Sequence, residues 1–273
     1  MHDDERELTR SYAREGVLLL GGGAAILLQL ADPRVARGVA LHSDFRDRPL
    51  DRLVGTLDYV YAIGFGDDEM IEAAVRVVNA RHRPVRRGRA GDPAYSAFDA
   101  DAQRWVASTL LATALRLHER LWGPLDTPTA DAIVRSYGPL GSSLQAAREG
   151  WPESRAEFDT WWDERVALLH VGHDARTVAR ALLSGTSALP FGSRALLPPV
   201  RLITAALLPP AVRNAYGFQW TPRASRAADA WIRAIALVWP WLPRVVRHAP
   251  LHASLRRMKR RSRYAEHEPR GRR

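Results

Sequence analysis

Apolar residues recur at steps of three and four along almost the whole 273-residue chain, and no stretch shows sustained alternation bounded by hairpin turns. That spacing predicts an all-α protein. Breaking residues and caps place helices at about 13–30, 33–42, 49–64, 67–86, 99–121, 127–148, 154–171, 173–184, 196–208 and 223–247. Asp67 and Asp68 head the fourth helix, Asp99 the fifth, Thr127-Pro128 the sixth and Glu153-Ser154 the seventh, where side-chain oxygens can accept from the free N–H groups of a first turn. Loops at 87–98 and 185–195 are rich in Gly, Pro and Ser. Proline pairs at 198–199 and 209–210 box in LITAALL as a short buried helix.

On the fourth helix Ile71, Val75, Val78, His82 and Val85 follow at steps of four, three, four and three and so share a face. Arg76, Asn79 and Arg83 project elsewhere. His82 is therefore the one polar member of an inward stripe, and a buried imidazole is costly unless its nitrogens are satisfied. Two arrangements do so: a hydrogen-bonded core histidine, the commoner use, or a metal-bound one. The helix from Pro49 sets Arg52, Thr56, Tyr59 and Ile63 on one face. On the fifth helix Trp105 and Thr109 stand four apart, with Ala102 and Ala112 completing the face. A bond to the i−4 carbonyl explains either threonine alone, and a cap or ion pair explains Arg52 alone. Three polar intrusions on three consecutive long helices point together to a site.

The length allows one large core or two small ones, and no linker divides the chain, so we read one domain over 1–253 followed by a tail over 254–273. A formal net charge of +10 suggests nucleic-acid binding until the charge is located. The final SLRRMKRRSRYAEHEPRGRR holds nine arginines and lysines against two glutamates, which leaves 31 basic and 28 acidic residues in the body. The excess is expected in a disordered tail that touches an anionic membrane or RNA nonspecifically, with no surface for reading nucleic acid.

Lys259, in that tail, is the only lysine, which excludes pyridoxal phosphate enzymes, Walker-type NTPases and class I aldolases from the folded body. There is no cysteine, so a transition metal must be held by histidine and carboxylate. VLLLGGGAAILLQLA, from Val17 to Ala31, is shorter than the roughly 20 residues a spanning helix needs and is expected as a buried helix. The acids Asp3, Asp4, Glu5 and Glu7 before it disagree with a secretory leader, and the expected location is cytoplasmic.

Among the other candidates, HVGHD offers His170, His173 and Asp174 to a non-haem metal, the histidines lying i, i+3 on one helical face; a solvated helix end is the bland alternative. His118, His248 and His252 read as surface or interfacial. Trp151, Trp161, Trp162, Trp231, Trp239 and Trp241 read as core or helix-packing residues. WPWLPR at 239–244, followed by the basic tail, suits a membrane surface.

Several blocks resemble the mpaB-type oxygenases and the rubber oxygenases, whose catalytic domain is shared with latex-clearing proteins. They are ILLQLADPRVARGV, HSDF at His42–Phe45, RLVGT at Arg52–Thr56, RHRPVR at Arg81–Arg86, YSAFD at Tyr95–Asp99 and WVASTL at Trp105–Leu110, with TWWDE and the LLPP at Leu207–Pro210 further on. The resemblance covers almost the whole body. It implies a single globular multi-helix bundle with a globin-like core that binds haem b through His82 as proximal iron ligand. It further implies Arg86 as a partner for a haem propionate, Arg52 and Thr56 as the catalytic distal pair, Thr109 as a pocket residue, and His42 either lining the pocket or bonding a backbone carbonyl near the turn to Arg52.

Two departures stand out. Asp32 occupies the place of the family's usual histidine, and Gly55 occupies that of the lysine preceding the distal threonine in rubber-cleaving members. Distal coordination by lysine is thereby impossible, and polyisoprene is not the expected substrate. The function implied is a haem-dependent oxygenase that uses dioxygen to oxidise or cleave a carbon-carbon double bond of a small apolar, prenyl- or terpenoid-like substrate. The alternatives are a haem-binding or gas-sensing protein without turnover, and the non-haem metal protein.

Overall fold

The computed structural model describes residues 3–42, 49–85, 95–146, 149–184 and 196–267, whose regular elements are all helical, with no strand among them. The first part holds α1 (Asp3–Ala13), α2 (Gly22–Leu30), α3 (Pro33–His42), α4 (Pro49–Phe65) and α5 (Asp68–His82). Then come α6 (Ala100–Trp122), α7 (Thr127–Ser142), α8 (Arg155–Ala167) and α9 (His173–Ser184). The chain continues through α10 (Leu197–Leu207), α11 (Pro210–Ala215), α12 (Pro222–Val238), α13 (Arg244–Arg247) and α14 (Ala249–His267).

Helix α6 is the central element, touching α2, α7, α10 and α12 and burying Trp105, Leu111, Leu115, Leu117 and Leu121. Asp99 accepts from the Ala102 N–H at its start, and Gly123, at φ 93°, ends it in a conformation that a side chain would resist. Trp105 is fully buried where three helices meet. Its ring stacks on Trp162 of α8 at 5.2 Å, and its indole N–H donates to the Leu28 carbonyl of α2 at 3.2 Å.

Where one helix is expected over 13–30, the chain forms α1, a 3₁₀ turn at Gly16–Gly21 and α2. Consecutive glycines weaken a continuous helix but let the backbone come close. A Cβ on Gly21 would lie within contact distance of Thr113 of α6, and one on Gly23 would collide with Thr204 of α10. Val17, Leu27, Leu28 and Leu30 are buried as expected. No single helix among the described residues is long and apolar enough to cross a membrane; the segments Glu5–Ala13 and Gly16–Leu30 pass that test only as a pair bent by 62°.

Other ends shift for local reasons. Helix α5 stops at His82, because Pro84 cannot continue a helix and restricts the residue before it. The cap of α7 is Asp126, which accepts from the Thr129 N–H, rather than Thr127. At α8 the cap is Ser154 as expected, and Glu157 reaches back to the Glu153 N–H at 2.9 Å.

The expected disordered tail over 254–273 is corrected as far as His267, where α14 ends; 268–273 lie outside the described residues. Helix α14 packs along α4 and α5, and Leu251, Leu255 and Met258 give it an apolar stripe at steps of four and three. Asp58 of α4, 2 % exposed, accepts from Ser254 Oγ at 2.5 Å and from Arg257 Nη2 at 2.7 Å, with Arg261 at 3.5 Å. The basic run is thus tied partly to a buried carboxylate. Trp151 and Trp162 are core residues as expected, whereas Trp231 and Trp241 are 47 % and 87 % exposed.

Candidate functional site

Helices α4 and α5 form a hairpin whose turn is capped by Asp67, which accepts from the Met70 N–H. The hairpin brings the first turns of α4 and the last turn of α5 to the same end. The missing side chain of Gly55 leaves room for the guanidinium of Arg81, which lies across the α4 backbone there; a Cβ at this position would displace Arg81 Nη1. Gly55 therefore does more than omit a lysine. It admits a different cation, from the residue preceding His82, against the backbone of α4.

His82 closes α5. Its stripe-mates Ile71, Val75 and Val78 are half-buried, and the fully buried side of α5 carries Met70 and Ala74, so the expected stripe lies at the border of the core rather than inside it. The imidazole is likewise half-buried, with Nδ1 closed to solvent, and it meets the Phe98 ring edge-on at 6.2 Å. One turn earlier, Asn79 Oδ1 accepts from Gln145 Nε2 at 3.1 Å; Gln145 Oε1 accepts from Gln103 Nε2 at 2.6 Å, and that same amide donates to the Ala97 carbonyl at 2.8 Å. This chain of amides holds the 95–98 turn, and Phe98 with it, against the end of α5.

His42 reaches the same region from α3. It is exposed, and its Nε2 lies 2.7 Å from the Tyr95 hydroxyl, so its partner is a phenol and not the backbone carbonyl expected. Helix α3 sits close because Gly38 faces Val85 and Tyr95, where a Cβ would touch both. Thr56 is exposed on α4. The side chain of Arg52 and all of Arg86 lie outside the described residues, and the helix expected to carry Arg86 ends at His82. His42, Thr56, Arg81 and His82 thus belong to one end of the molecule.

Thr109 is placed differently. It is fully buried, accepts from Gln29 Nε2 at 3.0 Å and donates to the Val106 carbonyl at 2.7 Å. Its hydroxyl joins α2 to α6, and the helical bond it makes is to the i−3 carbonyl rather than i−4.

Asp32 is 4 % exposed and turns the chain into α3. Its Oδ1 accepts from the Arg34 N–H at 2.9 Å, while Oδ2 accepts from the Arg34 and Arg165 guanidiniums at 2.7 and 3.1 Å. Burial alone would raise this carboxyl's pKa; Arg34 and Arg165 more than offset that and hold it below its ordinary value. The departure from histidine at this position is thus a structural ion cluster.

The HVGHD reading is corrected. His170 precedes α9 and only His173 and Asp174 lie on it, so the pair shares no helical face. Asp174 pairs with Arg37 at 3.4 Å, His173 Nε2 lies 3.4 Å from the Thr177 hydroxyl, and no group of three potential ligands gathers among the described residues. His118, expected as surface or interfacial, is half-buried between the Tyr12 and Trp122 rings at 5.1 and 4.8 Å, and burial lowers its pKa.

Sequence reasoning missed Arg81, Tyr95, Phe98 and the Asn79–Gln145–Gln103 chain. Gly55 carried a signal for the first, because a glycine inside a helix costs stability unless something approaches it closely.

The family model described as "ER-bound oxygenase mpaB/B'/Rubber oxygenase, catalytic domain" matches residues 9–237. The chain belongs to this family. An uncharacterized protein of Mycobacterium bovis and one of Mycobacterium tuberculosis are each 31 % identical to it over 226 residues, covering 78 % of this chain and 84 % of each relative. No solved structure matches. Membership of the mpaB/rubber oxygenase family makes this chain an oxygenase-type catalytic domain, and the match takes in every segment from α2 to α11 that forms the end described above.

Proposed function

We propose that this family member is a haem b-dependent oxygenase with a globin-like core, acting with dioxygen on a carbon-carbon double bond of a small apolar, prenyl- or terpenoid-like substrate. The observation that carries the reading is His82: a half-buried imidazole at the end of α5, backed by Phe98, where α3 and the first turns of α4 also arrive. The donor set fits a porphyrin iron held by one imidazole, since the chain has no cysteine and its only lysine is Lys259 on α14.

In this reading His82 is the proximal ligand, and the amide chain through Asn79, Gln145 and Gln103 keeps the neighbouring Phe98 turn in place. Bound haem iron would supply the dioxygen chemistry that no side chain here can perform. Arg86 would be the partner of a haem propionate. Arg52 and Thr56 would offer hydrogen-bond donors to dioxygen, and Arg81 sets a cation against Gly55, where rubber-cleaving relatives have lysine. His42, bonded to Tyr95, borders the site, and Thr109 joins α2 to α6.

The test is oxygen uptake by haem-loaded full-length protein with β-myrcene as probe, with carbonyl products identified by mass spectrometry. Uptake that depends on the alkene and falls at least about a hundredfold in His82→Ala is expected, since loss of the iron ligand removes the reactive centre. Haem retention with no uptake on myrcene or other alkenes would instead make the protein a haem binder without turnover.

A further inference from the structure

Just past the family-matched segment, the turn from α12 through the 3₁₀ residues Trp239–Trp241 to α13 presents apolar side chains to solvent. Leu237 is 72 % exposed, Val238 58 %, Trp241 87 %, Val245 71 % and Val246 50 %. Five large exposed apolar residues within ten positions of one helix-to-helix turn, the tip, are more than the scatter of single apolar residues normal on a surface. The tip is also held rigid. Trp239 turns inward and donates from Nε1 to Glu15 Oε2 at 2.7 Å, and Arg247 pairs with the same carboxylate, fastening both sides of the tip to the start of the first 3₁₀ turn.

The charge around it is one-sided. Between Pro222 and Arg261 there are ten arginines and lysines and a single acid, Asp229, which is paired with Arg120. Arg233 and Arg244 flank the tip in exposed positions, and Arg256, Lys259 and Arg260 are exposed on α14. A second copy of this chain would bring the same cations together and be repelled, whereas an anionic bilayer surface attracts each of them while accepting the tip below its headgroups.

We infer that this tip docks the protein on anionic lipid, with Trp241, Val245 and Val246 inserted to headgroup depth and the flanking Arg233 and Arg244 on the phosphates. The arrangement lies apart from His82 and is independent of the haem reading.

Flotation of full-length protein with vesicles of phosphatidylglycerol and phosphatidylcholine tests it, with pure phosphatidylcholine vesicles alongside. Wild type is expected to float with the anionic vesicles, at least about tenfold less with the neutral ones, and less again as salt rises. A Trp241→Ala, Val245→Ser double variant, altered only at exposed positions and checked for an unchanged circular dichroism melt, should bind the anionic vesicles about tenfold or more weakly. Equal binding by the double variant overturns the inference, as does absence of binding by wild type. So does a concentration-dependent dimer lost in the same variant, which would assign the tip to a second copy, or retention by RNA alone.

Discussion

Replacing Trp105 by alanine should lower the stability of the protein by about 3–5 kcal/mol, the range for removing a large aromatic side chain from a closed core. The expectation rests on what that side chain joins. Its ring stacks on Trp162, which stacks in turn on Phe158 at 5.8 Å, so the cavity would open inside an aromatic row binding α8 to α6. Its indole N–H is the partner of the Leu28 carbonyl at the end of α2, and that carbonyl would lose the bond. Trp105→Phe keeps most of the stack and should cost only about 1–2 kcal/mol, so the pair of variants separates packing from the hydrogen bond. Urea unfolding followed by circular dichroism measures both; an alanine variant within about 1 kcal/mol of wild type would show that the three helices are held together elsewhere.

Asp58→Asn is the second large effect, expected to cost about 2–3 kcal/mol. Asparagine preserves the shape of the buried group but removes the charge that Arg257, Arg261 and Ser254 converge on. The cost stays below that of breaking a closed ion pair because Arg257 is 37 % exposed and Arg261 46 % exposed, so both can return to water. The consequence should be local. Helix α14 lifts from α4 and α5 before the body unfolds, and limited trypsin cleavage between Arg256 and Arg261 should accelerate roughly thirtyfold or more. Cleavage at the wild-type rate would mean that Leu251, Leu255 and Met258 alone hold the helix down.

The apolar periodicity found most helices because it records burial, which here governs the whole chain: α3, α4, α6 and α9 appear within about two residues of their expected ends. The caps Asp67, Asp99 and Ser154 were legible because capping is local chemistry. What failed was set by distant partners. Nothing in SLRRMKRRS reveals that a carboxylate nearly two hundred residues earlier will hold it as a helix. Nor does the stripe of α5 reveal that it sits at the edge of the core, which leaves His82 half-buried instead of enclosed. The sequence pointed to polar positions on α4, α5 and α6; the ends of α4 and α5 do meet, Thr109 of α6 lies instead in the α2–α6 seam, and the contacts around the candidate site, Arg81 on Gly55, Tyr95 on His42 and Gln103 on Gln145, are pairings across space that one sequence does not record.

Titrating hemin into the haem-free full chain while recording the Soret band puts the role of His82 to the most direct test. The expected result is a band that saturates at one equivalent in wild type, persists in Thr56→Ala and disappears or shifts to that of free hemin in His82→Ala. An identical saturating band in the His82→Ala variant, or none in wild type, would contradict haem ligation by this histidine.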